Sequence, residues 1–358
     1  MTTLIFPAGM PRAIAFLGEC VKQRQSVVGA SSLSNDPSRE QYAEWQFLPY
    51  VNDASFTASL VALLQRCAIT KIFTANPVVW GVLKELLPKV APAVVLLGES
   101  PATEMLAGYR ASKQVAGRLW AHRDFLMLDA QIGQAKPRMS ETAFTAMVHH
   151  ANTIPGMCDH QKMLTLSEIC RDMPVGDVVE IGSWWGKSAF ILAYLARHYA
   201  IGNLLCVDPW SDAHLVQDDK LVDELSAEMS AEEAHKVFVA NLLPYSSGNI
   251  NYIRLPSVEG AAKYRKQRSV ATVEFGETAF AGKIALLHID GNHEESAVEA
   301  DLQAWADLVI EGGWIVFDDY KWPYGDGPRR VADRYVGLHR DRVQRAFFSG
   351  GALFVKAN

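Results

Sequence analysis

The sequence predicts an α/β fold in two domains. Short apolar runs of strand length alternate with helical patterns along most of the chain, which is typical of helices that cover a parallel sheet. A chain of 358 residues is long enough for two domains of ordinary size. We expect a small α/β domain at residues 1–99, a helical connector at 100–155 and a larger α/β domain at 156–358.

The first domain is predicted from four apolar runs that read as buried parallel strands: Leu4–Phe6, Val27–Gly29, Ile72–Phe73 and Val94–Leu97. Helical patterns lie between them at Pro11–Gln23, Phe56–Cys67 and Pro77–Leu87. The segments G-A-S-S-L-S-N-D-P and L-P-Y-V resemble the pre-ATP-grasp domain that precedes ATP-grasp ligase folds. No ATP-grasp catalytic pattern follows in this chain, so we expect a recognition or dimerisation domain rather than a ligase.

Composition and charge limit the partners. A net charge of -6 and a pI near 5.9 give no general attraction to nucleic acid or to an anionic membrane. The five cysteines are scattered and form no C-x-x-C pair, which favours reduced thiols. The sequence shows no apolar run of membrane-spanning length and no signal-peptide pattern. We therefore expect a cytoplasmic protein that acts on a small molecule; a homo-oligomer is left open.

The second domain is organised around the stretch G-D-V-V-E-I-G-S-W-W-G-K-S, from Gly176 to Ser188. It reads as a buried strand, a tight glycine turn and a helix start, and together these form a cradle for a polar ligand. The carboxylate of Glu180 argues against a phosphate and favours a cationic or hydroxyl-bearing ligand. The predicted cofactor-binding residues of this stretch are Glu180, Gly182, Ser183, Gly186 and Ser188.

Later apolar runs of this domain also end in polar residues. The runs start at Leu204, Ile250, Ile284 and Trp314, and parallel strands present their carboxyl ends, where ligands bind, at one edge of a sheet. We predict that Asp208 holds ribose hydroxyls, that Ser257 lies beside an adenine and that Asp290 contacts the cofactor.

Three further expectations concern the connecting segments of this domain. A helical face runs from Val298 to Val309 and stops at Gly-Gly. An acidic insertion at 211–248 contains a capping box, Ser230 to Glu233, and part of it is a candidate lid. The chain ends in a strand hairpin.

Residues 156–358 resemble a class I S-adenosylmethionine-dependent methyltransferase. V-V-E-I-G-S-W-W-G-K-S matches the first motif of that family and V-D-P-W its ribose-binding second motif. The block from H-I-D-G-N-H-E-E-S to E-G-G-W-I-V-F-D-D-Y is similar to a subgroup that methylates hydroxyls of sugars and natural products. The resemblance implies a Rossmann-like methyltransferase sheet, mostly parallel with an antiparallel last strand, S-adenosyl-L-methionine as cofactor and a small-molecule acceptor.

The same resemblance implies a metal site. Some relatives bind a divalent cation through the first acid of D-G and both acids of D-D, which are here Asp290, Asp318 and Asp319. An all-carboxylate set suits Mg²⁺ or a similar hard ion. Sugar-methylating relatives often carry an acid where this chain has Asn292, so we predict His293 as the catalytic base.

The predicted function is S-adenosylmethionine-dependent O-methylation of a small hydroxylated acceptor, assisted by a divalent cation. One alternative is a non-catalytic cofactor- or partner-binding module of a biosynthetic complex. Another is a P-loop NTPase, but that loop needs four residues between its glycines, and Gly182 and Gly186 are separated by three. A nicotinamide dehydrogenase fits least, because the glycine loop lacks the second, closely spaced glycine of a dinucleotide-binding loop.

Overall fold

The computed structural model describes residues 2–123, 135–214 and 230–358. The chain divides into two compact units, Met1–Arg110 and Ala111–Asn358. The division between the units, after Arg110, lies later in the chain than the boundary at residue 99 expected from the sequence. It falls inside one helix, Ala107–Ala121. The predicted connector at 100–155 is thus shared between the two units.

The first unit is a parallel five-stranded sheet with helices between its strands. Its strand order is β3-β2-β1-β4-β5, and every pairing in it is parallel. The short β3, half exposed, was not predicted from the sequence. The elements are β1 (Thr2–Ile5), α1 (Pro11–Lys22), β2 (Ser26–Ser31), β3 (Trp45–Phe47), α2 (Phe56–Arg66), β4 (Ile69–Phe73), α3 (Pro77–Val90), β5 (Val95–Leu96) and α4 (Pro101–Met105), followed by α5 (Ala107–Ala121).

The second unit contains the seven-stranded sheet that carries the candidate site. Its helices are α6 (Glu141–Ala151), α7 (His160–Ile169), α8 (Lys187–His198), α9 (Ala231–Leu242), α10 (Ser257–Lys266), α11 (Glu295–Trp305) and α12 (Gly327–Leu338). Its strands are β6 (Asp177–Ile181), β7 (Leu204–Val207), β8 (Ile250–Ile253), β9 (Ser269–Thr272), β10 (Gly276–Ala279), β11 (Ile284–Ile289), β12 (Val309–Phe317), β13 (Val343–Ser349) and β14 (Ala352–Ala357).

The order of the seven strands confirms the fold class. It is β13-β14-β12-β11-β6-β7-β8. The last strand, β14, pairs antiparallel with both β12 and β13, and the other four pairings are parallel. The mostly parallel Rossmann-like sheet with an antiparallel last strand is therefore present. Strand order reverses between β6 and β11, and ligands of open α/β sheets bind at such a switch point.

The sheet is buried on both faces, as its nearly continuous apolar strands predict. Val178 and Cys206 face one core, which α6, α7, α8 and α9 cover. Val179 and Leu205 face the other, on the side of α10, α11 and α12. None of the helices in the described ranges combines the length and the apolar character needed to cross a bilayer.

Of the predictions for the connecting segments, the helix N-cap at Ser230 is confirmed and the helix stop at Gly-Gly is wrong. The N-cap at Ser230 is present, with its hydroxyl accepting the N–H of Glu233 at 3.4 Å. The Gly-Gly pair was expected to stop a helix, but that helix ends at Trp305 and both glycines lie inside β12. Gly312 has φ +76° there, so the pair forms an irregularity within a strand. The β9–β10 hairpin was not predicted, and residues 215–229 of the acidic insertion that was expected to contain a lid lie outside the described residues.

Candidate cofactor and acceptor site

Four adjacent strands of the larger sheet end together. The residue that follows each strand donates its N–H to the last residue of a neighbouring strand, at 2.9–3.2 Å. The four donors are Gly182, Asp208, Asp290 and Asp318. We call this line the carboxyl edge, and it brings the predicted glycine turn and the predicted acids side by side.

The glycine loop, residues 182–186, needs glycine at both ends. Gly182 has φ +81°, and a Cβ there would lie 2.0 Å from the carbonyl oxygen of Asp290. Gly186 has φ +88° at the start of α8, and its Cβ would lie 2.5 Å from a methyl of Leu242. The loop therefore turns tightly against the D-G turn after β11, directly at the switch point of the sheet.

Asp208 ties this loop to the end of β7. Its carboxylate accepts the backbone N–H of Trp184 at 3.0 Å and that of Trp210 at 2.7 Å. Burial raises the pKa of Asp208, although the backbone hydrogen bonds favour its ionised form. The side chain keeps 8% exposure, and a carboxylate has acceptor sites beyond two, so Asp208 is able to accept ribose hydroxyls as well.

Glu180 does not face the open side of the loop as the sequence analysis expected. It is fully buried and lies opposite His288 in the β6–β11 pair. Its carboxylate accepts the hydroxyl of Ser183 at 2.6 Å and contacts His288 Nδ1 at 3.2 Å. Glu180 therefore supports the loop from beneath. Ser188 is buried in the first turn of α8.

Ser257, the predicted adenine neighbour, connects two helices. Its hydroxyl accepts the indole N–H of Trp305 at 3.0 Å and hydrogen-bonds the carboxyl of Asp301. The side chain thus joins α10 to α11. Its contacts are structural in this arrangement.

Asp301 gives a stability prediction. Burial raises its pKa to about 6, so the folded protein holds this proton more tightly than the unfolded chain does. The group's contribution to stability is present below about pH 4 and is lost as pH rises through about 6, by about 3 kcal/mol at ~1.4 kcal/mol per pKa unit. Asp301→Asn is therefore expected to raise the free energy of unfolding near pH 7 and to change it little near pH 4, as measured by urea unfolding.

Asp307→Asn is the matched control for this prediction, because Asp307 is 65% exposed in its surface pair with Arg265. It should shift stability by less than about 1 kcal/mol at either pH. An Asp301→Asn effect that is equal near pH 4 and pH 7 would contradict the assignment of a raised pKa.

Asp318 is held by a lysine and a histidine. Its carboxylate accepts from Lys162 Nζ and lies 3.3 Å from His288 Nε2. Burial opposes ionisation of Asp318, but the charge of Lys162 and the hydrogen bond to His288 hold its pKa well below the usual range. Burial lowers the pKa of His288, yet its bonds to Asp318 and Glu180 raise it overall. A buried polar chain thus runs from the glycine loop to α7.

Asp319 points to different neighbours. It has φ +50°, and its carboxylate contacts His293 Nε2 at 2.9 Å. His293 in turn packs against the ring of Trp322, with centroids 4.3 Å apart. Aspartate and histidine therefore form a pair beside an aromatic ring at the outer side of the carboxyl edge.

The three acids predicted to bind metal are divided between two groups. Among the described residues, possible ligand atoms lie within 4.8 Å of one another in two sets, His288–Asp290–Asp318 and Asp290–His293–Asp319. The predicted combination of Asp290, Asp318 and Asp319 is neither of these. Asp290 belongs to both sets, whereas Asp318 and Asp319 each belong to one.

The stretch that carries this geometry matches a family of known proteins. Residues 179–320 match a family model described as a methyltransferase domain. This stretch is therefore similar to a methyltransferase domain. The match begins in β6 and ends at the D-D-Y turn, so it includes the glycine loop, Asp208 and both acid-bearing turns. No curated protein matches the chain.

Solved structures of low identity also match. The O-methyltransferase NovP is 15% identical, with 54% of this chain and 79% of that chain covered and a TM-score of 0.38. The calicheamicin methyltransferase CalS11 is 14% identical, with coverage of 73% and 94% and a TM-score of 0.39. MycE from the mycinamycin pathway, in complex with Mg and SAH, is 18% identical, with coverage of 63% and 56% and a TM-score of 0.36.

An open pocket lies next to Trp322, the ring against which His293 packs. It has a volume of about 440 Å³ and is formed by the segment after β12 and the start of α12, with Tyr320, Trp322 and Arg329 in its wall. Trp322 contacts both this cavity and His293. Aromatic and charged groups together provide apolar faces and hydrogen-bond donors for a small polar molecule.

Two residues of this site were not predicted from the sequence. Lys162 lies in α7, where every residue from Lys162 to Ile169 is buried, so no amphipathic pattern distinguishes it. Trp322 lies in a loop and its role depends on packing against His293. Neither residue belongs to a local motif, and only the folded second unit brings them to the carboxyl edge.

Proposed function

We propose that this protein is an S-adenosylmethionine-dependent O-methyltransferase that acts on a small hydroxylated acceptor. The observation that carries the proposal is the carboxyl edge, where the glycine loop, Asp208 and Asp290 adjoin the switch point of a methyltransferase-domain sheet. Ligands bind at this position in sheets of this kind. The residues fit a nucleoside, because a partly accessible acid stands beside a tight glycine turn.

In this proposal the protein's own groups hold the cofactor in three ways. The glycine loop lets the backbone approach the ligand closely. Asp208 accepts the ribose hydroxyls. Asp290, at the switch point, borders the cofactor on the other side. Bound S-adenosylmethionine supplies a methyl group on a sulfonium, and methyl transfer to oxygen leaves a neutral thioether.

The acceptor is assigned to the cavity beside Trp322. Its volume of about 440 Å³ suits a small molecule, since ligand sites commonly measure about 300–1,000 Å³. The wall combines rings with Lys321 and Arg329, which favours a polar, hydroxyl-bearing ring over an apolar chain. Sugars and hydroxylated natural products belong to this class.

His293 is proposed to take the proton of the acceptor hydroxyl. The neutral imidazole takes the hydroxyl proton, and its Nε2 lies 2.9 Å from the carboxylate of Asp319. Asp319 then stabilises the imidazolium that forms, and packing on Trp322 fixes the plane of the ring. A base so oriented is worth about 10²–10⁴-fold in rate.

The proposed mechanism does not include the divalent cation that was predicted from the sequence. Asp318 already receives Lys162 and His288, and Asp319 receives His293. Because each acid of D-D has a cationic or hydrogen-bonding partner of its own, the donor set does not fit a shared Mg²⁺ ion. We assign no step to a metal.

The direct test is transfer of a labelled methyl group. The protein is incubated with methyl-labelled S-adenosylmethionine and a panel of sugars and hydroxylated ring compounds, and labelled products are separated and counted. The proposal expects label on oxygen of at least one acceptor. Cofactor binding without transfer to any acceptor would instead support the non-catalytic module.

His293→Gln is expected to lower kcat by about 10²–10⁴-fold while leaving the affinity for S-adenosylhomocysteine unchanged, because the side chain touches the acceptor and not the cofactor. Single-turnover methyl transfer measures the first quantity and calorimetry the second. His339→Gln, on a histidine that contacts Tyr335 at the end of α12, is the control and should act like the wild type. Full turnover by His293→Gln would rule out His293 as the base.

A further inference from the structure

A lysine occupies the acid cluster at the carboxyl edge. Lys162 comes from α7, outside the 179–320 stretch that matches the methyltransferase family. Its side chain is almost fully buried, and Nζ donates to Asp318. Burial of a lysine is costly unless it is paired, so this placement calls for a physical explanation.

The charged groups around Lys162 explain why it is buried there. Asp318 Oδ2 accepts from Lys162 Nζ and lies 3.3 Å from His288 Nε2. Asp290 offers a carboxylate oxygen within 4.8 Å of one on Asp318. Clustered carboxylates repel one another unless a cation or a proton lies among them, and here the ammonium group of Lys162 is that cation.

The same contact excludes a metal from the predicted position. Lys162 and His288 approach the same oxygen of Asp318, Oδ2. A divalent ion at this carboxylate would have to displace the ammonium group or lie next to it. Two like charges at contact distance in a buried site repel strongly, and the displaced lysine would be left buried without a partner.

We propose that Lys162 is a tethered cation that stands in place of a divalent ion at the carboxyl edge. It fixes Asp318 and, through Asp318, the position of Asp290 beside the glycine loop. Lys162 is a positioning residue, since it acts through the acids. The claim that methyl transfer proceeds without metal rests on the proposed function, whereas the claim about metal binding does not.

The test is a titration with Mn²⁺ followed by electron paramagnetic resonance, and with Mg²⁺ followed by calorimetry. The wild-type protein is expected to show no saturable binding below about 1 mM, the weak end of carboxylate sites. Lys162→Met keeps the length of the side chain and removes its charge. It is expected to bind Mn²⁺ at least about tenfold more tightly, because Asp318 and Asp290 then lack their cation.

Two further variants serve as controls. Lys356→Met removes another half-buried lysine–aspartate pair, with Asp172 at 2.5 Å, and should gain no Mn²⁺ affinity. Lys162→Met combined with Asp290→Asn should lose the affinity gained by Lys162→Met alone. The wild-type titration stays decisive even where Lys162→Met fails to fold.

Two results would overturn the proposal. One is saturable Mn²⁺ binding by the wild type at micromolar concentration that Asp290→Asn abolishes. The other is a folded Lys162→Met protein with no gain in Mn²⁺ affinity. Neither result bears on S-adenosylhomocysteine binding, which is measured separately, so failure here is distinguishable from failure of the proposed function.

Discussion

Asp208→Ala is expected to weaken binding of S-adenosylmethionine by at least about 100-fold, or ~2.8 kcal/mol at 1.4 kcal/mol per tenfold. Two hydrogen bonds from ribose hydroxyls to a carboxylate are worth about 1.5–3 kcal/mol each. The variant also leaves the N–H groups of Trp184 and Trp210 without their acceptor, so the glycine loop loses support as well. Calorimetric titration with S-adenosylhomocysteine measures the effect.

Asp208→Asn separates the two contributions. It retains an oxygen for the loop N–H groups but loses the charge and one acceptor, so we expect a smaller loss of affinity and a near-normal melting temperature. Asp307→Ala removes an exposed acid of the same unit and should bind like the wild type. Wild-type affinity in Asp208→Ala would mean that the ribose does not lie at the end of β7.

Gly182→Ala is expected to prevent stable folding of the second unit. The added Cβ would lie 2.0 Å from the carbonyl oxygen of Asp290, and φ is +81°. A backbone carbonyl does not move aside as a flexible side chain does, and the left-handed conformation adds about 1–2 kcal/mol. The total exceeds about 4 kcal/mol, a large loss beside typical stabilities of about 5–15 kcal/mol. Soluble yield and thermal unfolding report the loss.

Gly337→Ala is the matched control. Gly337 lies in α12 with nothing within 4 Å of its added Cβ, and alanine in a helix is favoured over glycine by about 0.5–1 kcal/mol. We therefore expect unchanged or slightly higher stability. A Gly182→Ala protein that melts with the wild type would contradict the close approach of the turns after β6 and β11.

The parts of this site that the sequence predicts correctly are those with local signals. Buried strands appear as apolar runs, and the polar residues that follow them mark the strand ends. Since parallel strands end at a common edge, Asp208 and Asp290 were expected to share one edge of the sheet, and both lie on it, on either side of β6. The glycine pattern from Gly182 to Gly186 likewise predicts a tight turn without knowledge of the fold.

Contacts between distant parts of the chain had no such signal. Lys162 and Asp318 are 156 residues apart, and a single lysine in a helix ordinarily lies at the surface. The separation of Asp318 from Asp319 depends on one backbone angle, φ +50° at Asp319. Glu180 was expected to face a ligand, because the sequence does not reveal that His288 lies opposite it.

The most direct measurement is a calorimetric titration of the folded wild-type protein with S-adenosylhomocysteine. Our account predicts one saturable site per chain, with a Kd of about 1–100 μM, or about −8 to −5 kcal/mol. It also predicts the loss of that heat in Asp208→Ala. A folded wild-type protein that gives no saturable heat with S-adenosylhomocysteine would contradict the assignment of the carboxyl edge as a cofactor site.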